Sequence, residues 1–104
     1  MDENKRTQKR YEWRIDVEIT MGADTRTAQT RNISLGGVFV SAVDKPPFGT
    51  RVHLRFRVPL QKDPIDVGGT VRWGDSEGYG VQFDGLRARD VWALGKLFEK
   101  LPPA

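Results

Sequence analysis

The feature that most constrains the fold is a series of short segments in which apolar and polar residues alternate. The clearest runs from Arg51 to Val58, with an apolar set (Val52, Leu54, Phe56, Val58) and a polar set (Arg51, His53, Arg55, Arg57) on opposite faces. A period of two residues is typical of a β-strand with one buried face. Such strands must pair with another sheet or close on themselves to bury that face, so the pattern favours a small barrel.

The same alternation predicts about six short antiparallel strands along the chain. The other five lie in segments 15–20, 26–31, 38–41, 65–73 and 79–83. Gly68 and Gly69 fall in the middle of the fifth strand and predict a bulge or a sharp bend there. The strands are separated by turn residues such as Met21-Gly22-Ala23-Asp24 and Asp44-Lys45-Pro46-Pro47.

Residues 88–101 change to a helical period. Apolar residues recur every three or four positions, at Val91, Leu94, Leu97, Phe98 and Leu101, and Pro102-Pro103 follow directly. This spacing predicts an amphipathic C-terminal helix over about 88–101. The fold class is therefore mainly β, a six-stranded antiparallel barrel with a C-terminal amphipathic helix, formed by a single domain over residues 10–104.

Composition excludes several classes of protein. The chain has 104 residues, 38% of them apolar and 30% charged, which suits one globular domain. It has no cysteine and one histidine, His53, so we expect neither disulfides nor a structural zinc site. No apolar run approaches the ~20 residues that span a bilayer, and the N-terminus does not resemble a signal peptide. We therefore expect a cytoplasmic protein without membrane insertion.

The positive charge is concentrated near the N-terminus. Residues 4–14 hold five basic residues against Glu12, a net charge of +4, whereas the whole chain carries +3. Residues 1–9 are polar without periodicity and predict a flexible basic arm. A local cluster favours one anionic ligand over an extended nucleic-acid surface. Charge alone leaves open that the arm is simply a solvated tail.

Two motifs carry the chemistry of a nucleotide site. Arg10 and Arg14 stand four residues apart just before the first long strand, and a guanidinium can grip a phosphate, bind the O6 and N7 atoms of guanine, or stack on a base. Arg6 and Arg10 form an overlapping pair farther out on the arm. The segment from Asn32 to Gly37, Asn-Ile-Ser-Leu-Gly-Gly, offers polar side chains and close backbone approach. Taken alone, that segment is more typical of an ordinary turn than of a binding site.

In this order and spacing the two motifs resemble those of the PilZ domain, the bacterial receptor for the second messenger cyclic di-GMP. The family carries R-x-x-x-R before its first strand and [D/N]-x-S-x-x-G after its second. The resemblance implies cyclic di-GMP as ligand, with no cofactor and no metal. It implies a site formed by a basic group (Lys9, Arg10, Arg14) and a turn group (Asn32, Ser34, Gly36, Gly37), with Arg6 as an auxiliary contact. Lys9 stands where many members have arginine, and Asn32 replaces the commoner aspartate.

Three functions remain open at this stage. The first is a cyclic di-GMP receptor whose arm orders over the ligand and relays the signal to an unidentified effector protein. The second is a PilZ-like interaction module that does not bind nucleotide, and the third is a barrel that binds single-stranded nucleic acid. An enzyme is not expected, because no nucleophile with a base partner and no carboxylate pair emerges. The sequence leaves open the oligomeric state, including a homodimer, and whether one or two nucleotides bind.

Overall fold

The strands of the protein close into an antiparallel barrel. The computed structural model describes residues 9–104. Its strands are β1 (Tyr11–Glu12), β2 (Asp16–Met21), β3 (Asp24–Ile33), β4 (Gly37–Ser41), β5 (Arg51–Phe56), β6 (Ile65–Gly74) and β7 (Gly78–Phe83). Six of them, β2 to β7, pair in the order β3-β2-β5-β6-β7-β4, and β4 pairs back onto β3. The predicted six-stranded barrel is confirmed.

The alternation along β5 places the barrel core as predicted. Val52, Leu54 and Phe56 are buried, and the polar residues between them are exposed. Trp13, just before β2, is also buried, and its ring packs edge-to-face on that of Phe56 with the centroids 5.7 Å apart. Of the two aromatic residues between Arg10 and Arg14, Trp13 thus belongs to the core.

The C-terminal helix is shorter than predicted and buries a different face. It is α1 (Ala88–Phe98), and beyond it Leu101 N–H donates to the Phe98 carbonyl in a tighter turn. The residue before a proline is disfavoured in α conformation, which ends the helix ahead of Pro102. The buried face contains Asp90 in addition to Leu94 and Leu97, whereas Val91, predicted to face the core, is 39% exposed.

The structure contains one strand that the alternation does not predict. Tyr11–Glu12 form β1, which pairs with the end of β3 at Ile33 and Asn32. The arginine motif is therefore partly inside the sheet. The predicted flexible arm and the auxiliary Arg6 lie outside the described residues, except for Lys9.

The irregularities of the sheet also differ from the prediction. Gly68 and Gly69 pair with β5 without a shift in register. They lie where β6 also begins to pair with β7. A bulge is therefore not found at these two glycines, and the alternative of a sharp bend there stays a prediction. The register shifts instead at Arg31, between Thr30 and Asn32 on β3, and at Arg72, between Val71 and Trp73 on β6.

Within residues 9–104, no helix has the length and apolar character needed to cross a membrane. In that range, no group of three or more His, Cys, Asp or Glu side chains could hold a metal ion.

Candidate functional site

A row of four residues crosses the outer face of the barrel. Asn32 on β3 pairs with Phe39 on β4, Phe39 pairs with Gly80 on β7, and Gly80 pairs with Trp73 on β6. The two register shifts create this row. Each inserts one residue into its strand, which turns the following side chain to the other face of the sheet. Asn32 and Trp73 therefore face outward on the same side of the barrel.

Trp73 is held flat against the barrel by the absence of a side chain at Gly80. A Cβ atom at position 80 would overlap the indole ring. The ring consequently rests on the β7 backbone and remains 42% exposed. It provides an aromatic platform at the centre of the candidate site.

The backbone around Arg10 is fixed by both β3 and the end of the chain. Beyond the β1 pairing, the Arg10 carbonyl accepts a hydrogen bond from Ala104 N–H at 3.0 Å, and Glu12 N–H donates to the Pro102 carbonyl at 2.9 Å. The Tyr11 ring stacks on that of Phe98 with centroids 4.4 Å apart and an angle of 16° between the planes. The C-terminal tail, residues 102–104, thus holds the first arginine of the motif in place.

The Arg10 side chain reaches across to the row. Its Nε donates to Asn32 Oδ1 at 2.5 Å, and its guanidinium carbon lies 5.3 Å from the centroid of the Trp73 ring. Burial lowers the pKa of the guanidinium from its ordinary value, although an arginine stays protonated. Its Nη2 is buried and has no hydrogen-bond partner among residues 9–104. A desolvated cation with an unused donor is favourable for an anion or a base acceptor.

The turn between β3 and β4 is held by its own hydrogen bonds. Ser34 is 1% exposed, its Oγ accepts from Gly36 N–H at 3.1 Å, and its N–H donates to the Gly37 carbonyl at 2.8 Å. Gly36 in turn accepts from Phe83 N–H at 2.8 Å. A Cβ atom at Gly37 would overlap the Val81 carbonyl. In this structure these three residues shape the turn that follows Asn32.

Lys9 and Arg14 flank Arg10 and are both exposed. The Lys9 ammonium lies 5.6 Å from the centroid of the Tyr11 ring. Arg14 stands between Trp13, whose N–H donates to the Arg31 carbonyl, and Ile15, whose N–H donates to Thr30 Oγ1. The structure thus brings Arg10 and Asn32 into contact, and Arg14 follows along the same edge of β3.

Five of the seven residues that line the surrounding cavity lie outside the two sequence motifs. Arg10 opens onto a cavity of about 310 Å³ lined also by Arg31, Asn32, Phe39, Trp73, Asp75 and Glu77. Arg31 Nη1 donates to Glu77 Oε1 at 2.5 Å across this cavity. The strand pattern puts Trp73 on the inner face, so only the shift at Arg72 reveals it. Arg31, directly beside Asn32, is the one local signal in the sequence that could have pointed to this part of the site.

Known proteins resemble the chain in both sequence and fold. The model of the PilZ domain family matches residues 4–100. The structure of the Bacillus subtilis Inhibitor of motility, MotI/DgrA, is similar with a TM-score of 0.74 and 26% identity, covering 91% of this chain and 50% of that one. The Borreliella burgdorferi PlzA protein, solved in complex with c-di-GMP, is similar in fold with a TM-score of 0.61 and 13% identity, covering 94% of this chain and 38% of that one.

The chain therefore spans half or less of the length of these two solved proteins. No curated protein matches it. The family match covers nearly the whole chain, including both motifs and the row across the barrel. The chain belongs to the PilZ domain family.

Proposed function

We propose that the protein is a cytoplasmic receptor for cyclic di-GMP and not an enzyme. The observation that carries the proposal is the set of contacts that Arg10 makes. Its guanidinium lies over the Trp73 ring and donates a hydrogen bond to Asn32. Its buried Nη2 has no hydrogen-bond partner among the described residues. Cyclic di-GMP combines two phosphates with two flat guanine bases. A guanidinium can bind either part, by forked hydrogen bonds or by stacking.

The neighbouring residues supply the rest of the proposed site. Arg14 and Lys9 are exposed along the same edge and would contact phosphate, because neither is buried within the fold. Asn32 would contact a guanine. Ser34, Gly36 and Gly37 would serve the site by shaping the turn, since their polar groups bond within it. A cavity of about 310 Å³ is at the small end for ligand sites, so it would receive part of the dinucleotide.

The proposal includes relay of the signal to another protein. The arginine motif directly follows the polar arm of residues 1–9, so ligand contacts at Arg10 and Arg14 would order that arm over the nucleotide. The altered surface would then be offered to an effector protein.

Titration calorimetry of the purified chain with cyclic di-GMP tests the proposal. Arg10→Ala should lower the affinity by about 10-fold to 100-fold, because it removes charge-assisted hydrogen bonds worth about 1.5–3 kcal/mol. Arg55→Ala is the matched control, since Arg55 is an exposed arginine on β5, away from the cavity. Absence of binding by the wild-type protein at micromolar ligand would refute the receptor function.

A further inference from the structure

The turn between β6 and β7 presents a carboxylate to the cavity from a fixed backbone. Glu77 N–H donates to Asp75 Oδ1 at 2.7 Å, and the Glu77 carbonyl accepts from Ala42 N–H at 3.0 Å. Its side chain is 61% exposed. The position of the backbone is therefore set by the fold, whereas the carboxylate stays accessible to a ligand.

Arg31 orients this carboxylate. The contact between Arg31 and Glu77 joins Nη1 to Oε1, and the Arg31 side chain is 33% exposed. Arg31 is the inserted residue at the β3 register shift, next to Asn32. The pair engages one carboxylate oxygen and leaves Oε2 of Glu77 without a hydrogen bond to another residue in the range 9–104.

Two carboxylates line the cavity, Asp75 and Glu77, and Glu77 is the one that Arg31 orients. Arg10 and Arg31 can only donate. Asn32 Oδ1 already accepts from Arg10, and Asp75 Oδ1 accepts the N–H groups of Glu77 and Gly78 in its own turn. A base that enters the cavity and presents hydrogen-bond donors therefore meets the Glu77 carboxylate.

Guanine presents such donors. Its Watson–Crick edge carries N1–H and the exocyclic N2 amino group side by side, a pair that one carboxylate can accept. Hypoxanthine keeps N1–H and lacks the amino group, and adenine has an unprotonated N1 that a carboxylate would repel. Sites built to hydrogen-bond a polar group discriminate against analogues that lack it.

We propose that Glu77, positioned by Arg31, is the residue that selects guanine by accepting hydrogen bonds from N1–H and the N2 amino group. This inference rests on the proposed cyclic di-GMP receptor function. It assigns base selectivity to a carboxylate outside both sequence motifs, in a chain whose motif carries the uncharged Asn32.

The test compares cyclic di-GMP with cyclic di-IMP, which differs only in lacking the two N2 amino groups. The wild-type protein should prefer cyclic di-GMP by at least about tenfold, and Glu77→Ala should bring the ratio of dissociation constants close to one. The ratio is the readout because Glu77→Ala also frees Arg31 to bind phosphate, which alters both affinities together. Glu99→Ala is the matched control, because Glu99 is an exposed glutamate at the end of α1.

The two proposals fail in different ways. A wild-type protein that binds neither cyclic dinucleotide refutes the receptor function and the inference with it. Wild-type binding with a ratio near one, or a tenfold ratio that survives Glu77→Ala, overturns the role of Glu77 and leaves the receptor function standing. Loss of the ratio in Glu77→Ala with its retention in Glu99→Ala supports the inference.

Discussion

Gly37→Ala should destabilise the protein strongly, because the added methyl group would meet backbone and not a mobile side chain. A Cβ atom at position 37 would overlap the Val81 carbonyl on β7, so β4 and β7 would have to separate locally. The hydrogen bonds from Ser34 N–H to Gly37 and from Phe83 N–H to Gly36 lie at this point. The final glycine of the motif is therefore required by the barrel itself.

The magnitude follows from those contacts. Weakening two backbone hydrogen bonds costs about 1–3 kcal/mol, and overpacking adds about 1–3 kcal/mol. The sum, about 2–6 kcal/mol, is a large part of the ~5–15 kcal/mol that stabilises a typical domain. For a chain of this size each kcal/mol shifts the melting temperature by about 4–8 °C, so we expect a fall of about 10 °C or more.

Thermal unfolding followed by circular dichroism measures the effect, and Gly95→Ala provides a control of opposite sign. Gly95 is exposed in the middle of α1, and a methyl group added there would have no neighbouring atom within 4 Å outside the helix's own backbone. Alanine at this position should stabilise the helix by about 0.5–1 kcal/mol. A Gly37→Ala protein that melts with the wild type would refute the argument from steric overlap.

Two further predictions concern the C-terminal part of the chain. Deletion of residues 102–104 removes the tail that bonds to Arg10 and Glu12, so cyclic di-GMP affinity measured by calorimetry should fall about 5-fold to 20-fold as Arg10 loses its fixed position; unchanged affinity would show that the β3 pairing suffices. Asp90→Ala should lower the free energy of unfolding in urea by about 1.5–3 kcal/mol, because the buried carboxylate accepts from Gln61 Nε2 at 2.9 Å. A change below ~0.5 kcal/mol would contradict a structural role for Asp90.

The sequence predicted the barrel well because strand periodicity records burial directly. The alternation along β5 and the buried aliphatic residues of β2 and β6 follow the predicted faces. Errors arose where a residue contradicts its simple pattern. Asp90 occupies a buried helix position because Gln61 and Arg87 both donate hydrogen bonds to its carboxylate, and Val91 faces outward. The helical period does not reveal such partners, and one of them, Gln61, lies in a loop 29 residues away.

The candidate site also contains some residues that the sequence could identify and others that only the structure reveals. The motif residues Arg10 and Asn32 could be selected from the chain, and the structure brings them into contact. Trp73 could not, because the strand pattern places it beside Val71 in the core. Glu77 lies in the turn between β6 and β7 and carries no periodic signal. Its relation to Arg31 depends on a contact across 46 residues of sequence.

The sequence by itself determined a mainly β barrel with a C-terminal helix and the basic motif of the PilZ domain family. The reason is that the spacing of apolar residues indicates which faces are buried, and the clustering of basic residues is visible in the sequence. Only the tertiary structure decided which side chains share the site. One inserted residue in β3 and one in β6 turn Asn32 and Trp73 to the same outer face. A shift of one residue reverses every side chain that follows it, and pairing with neighbouring strands decides where that shift occurs.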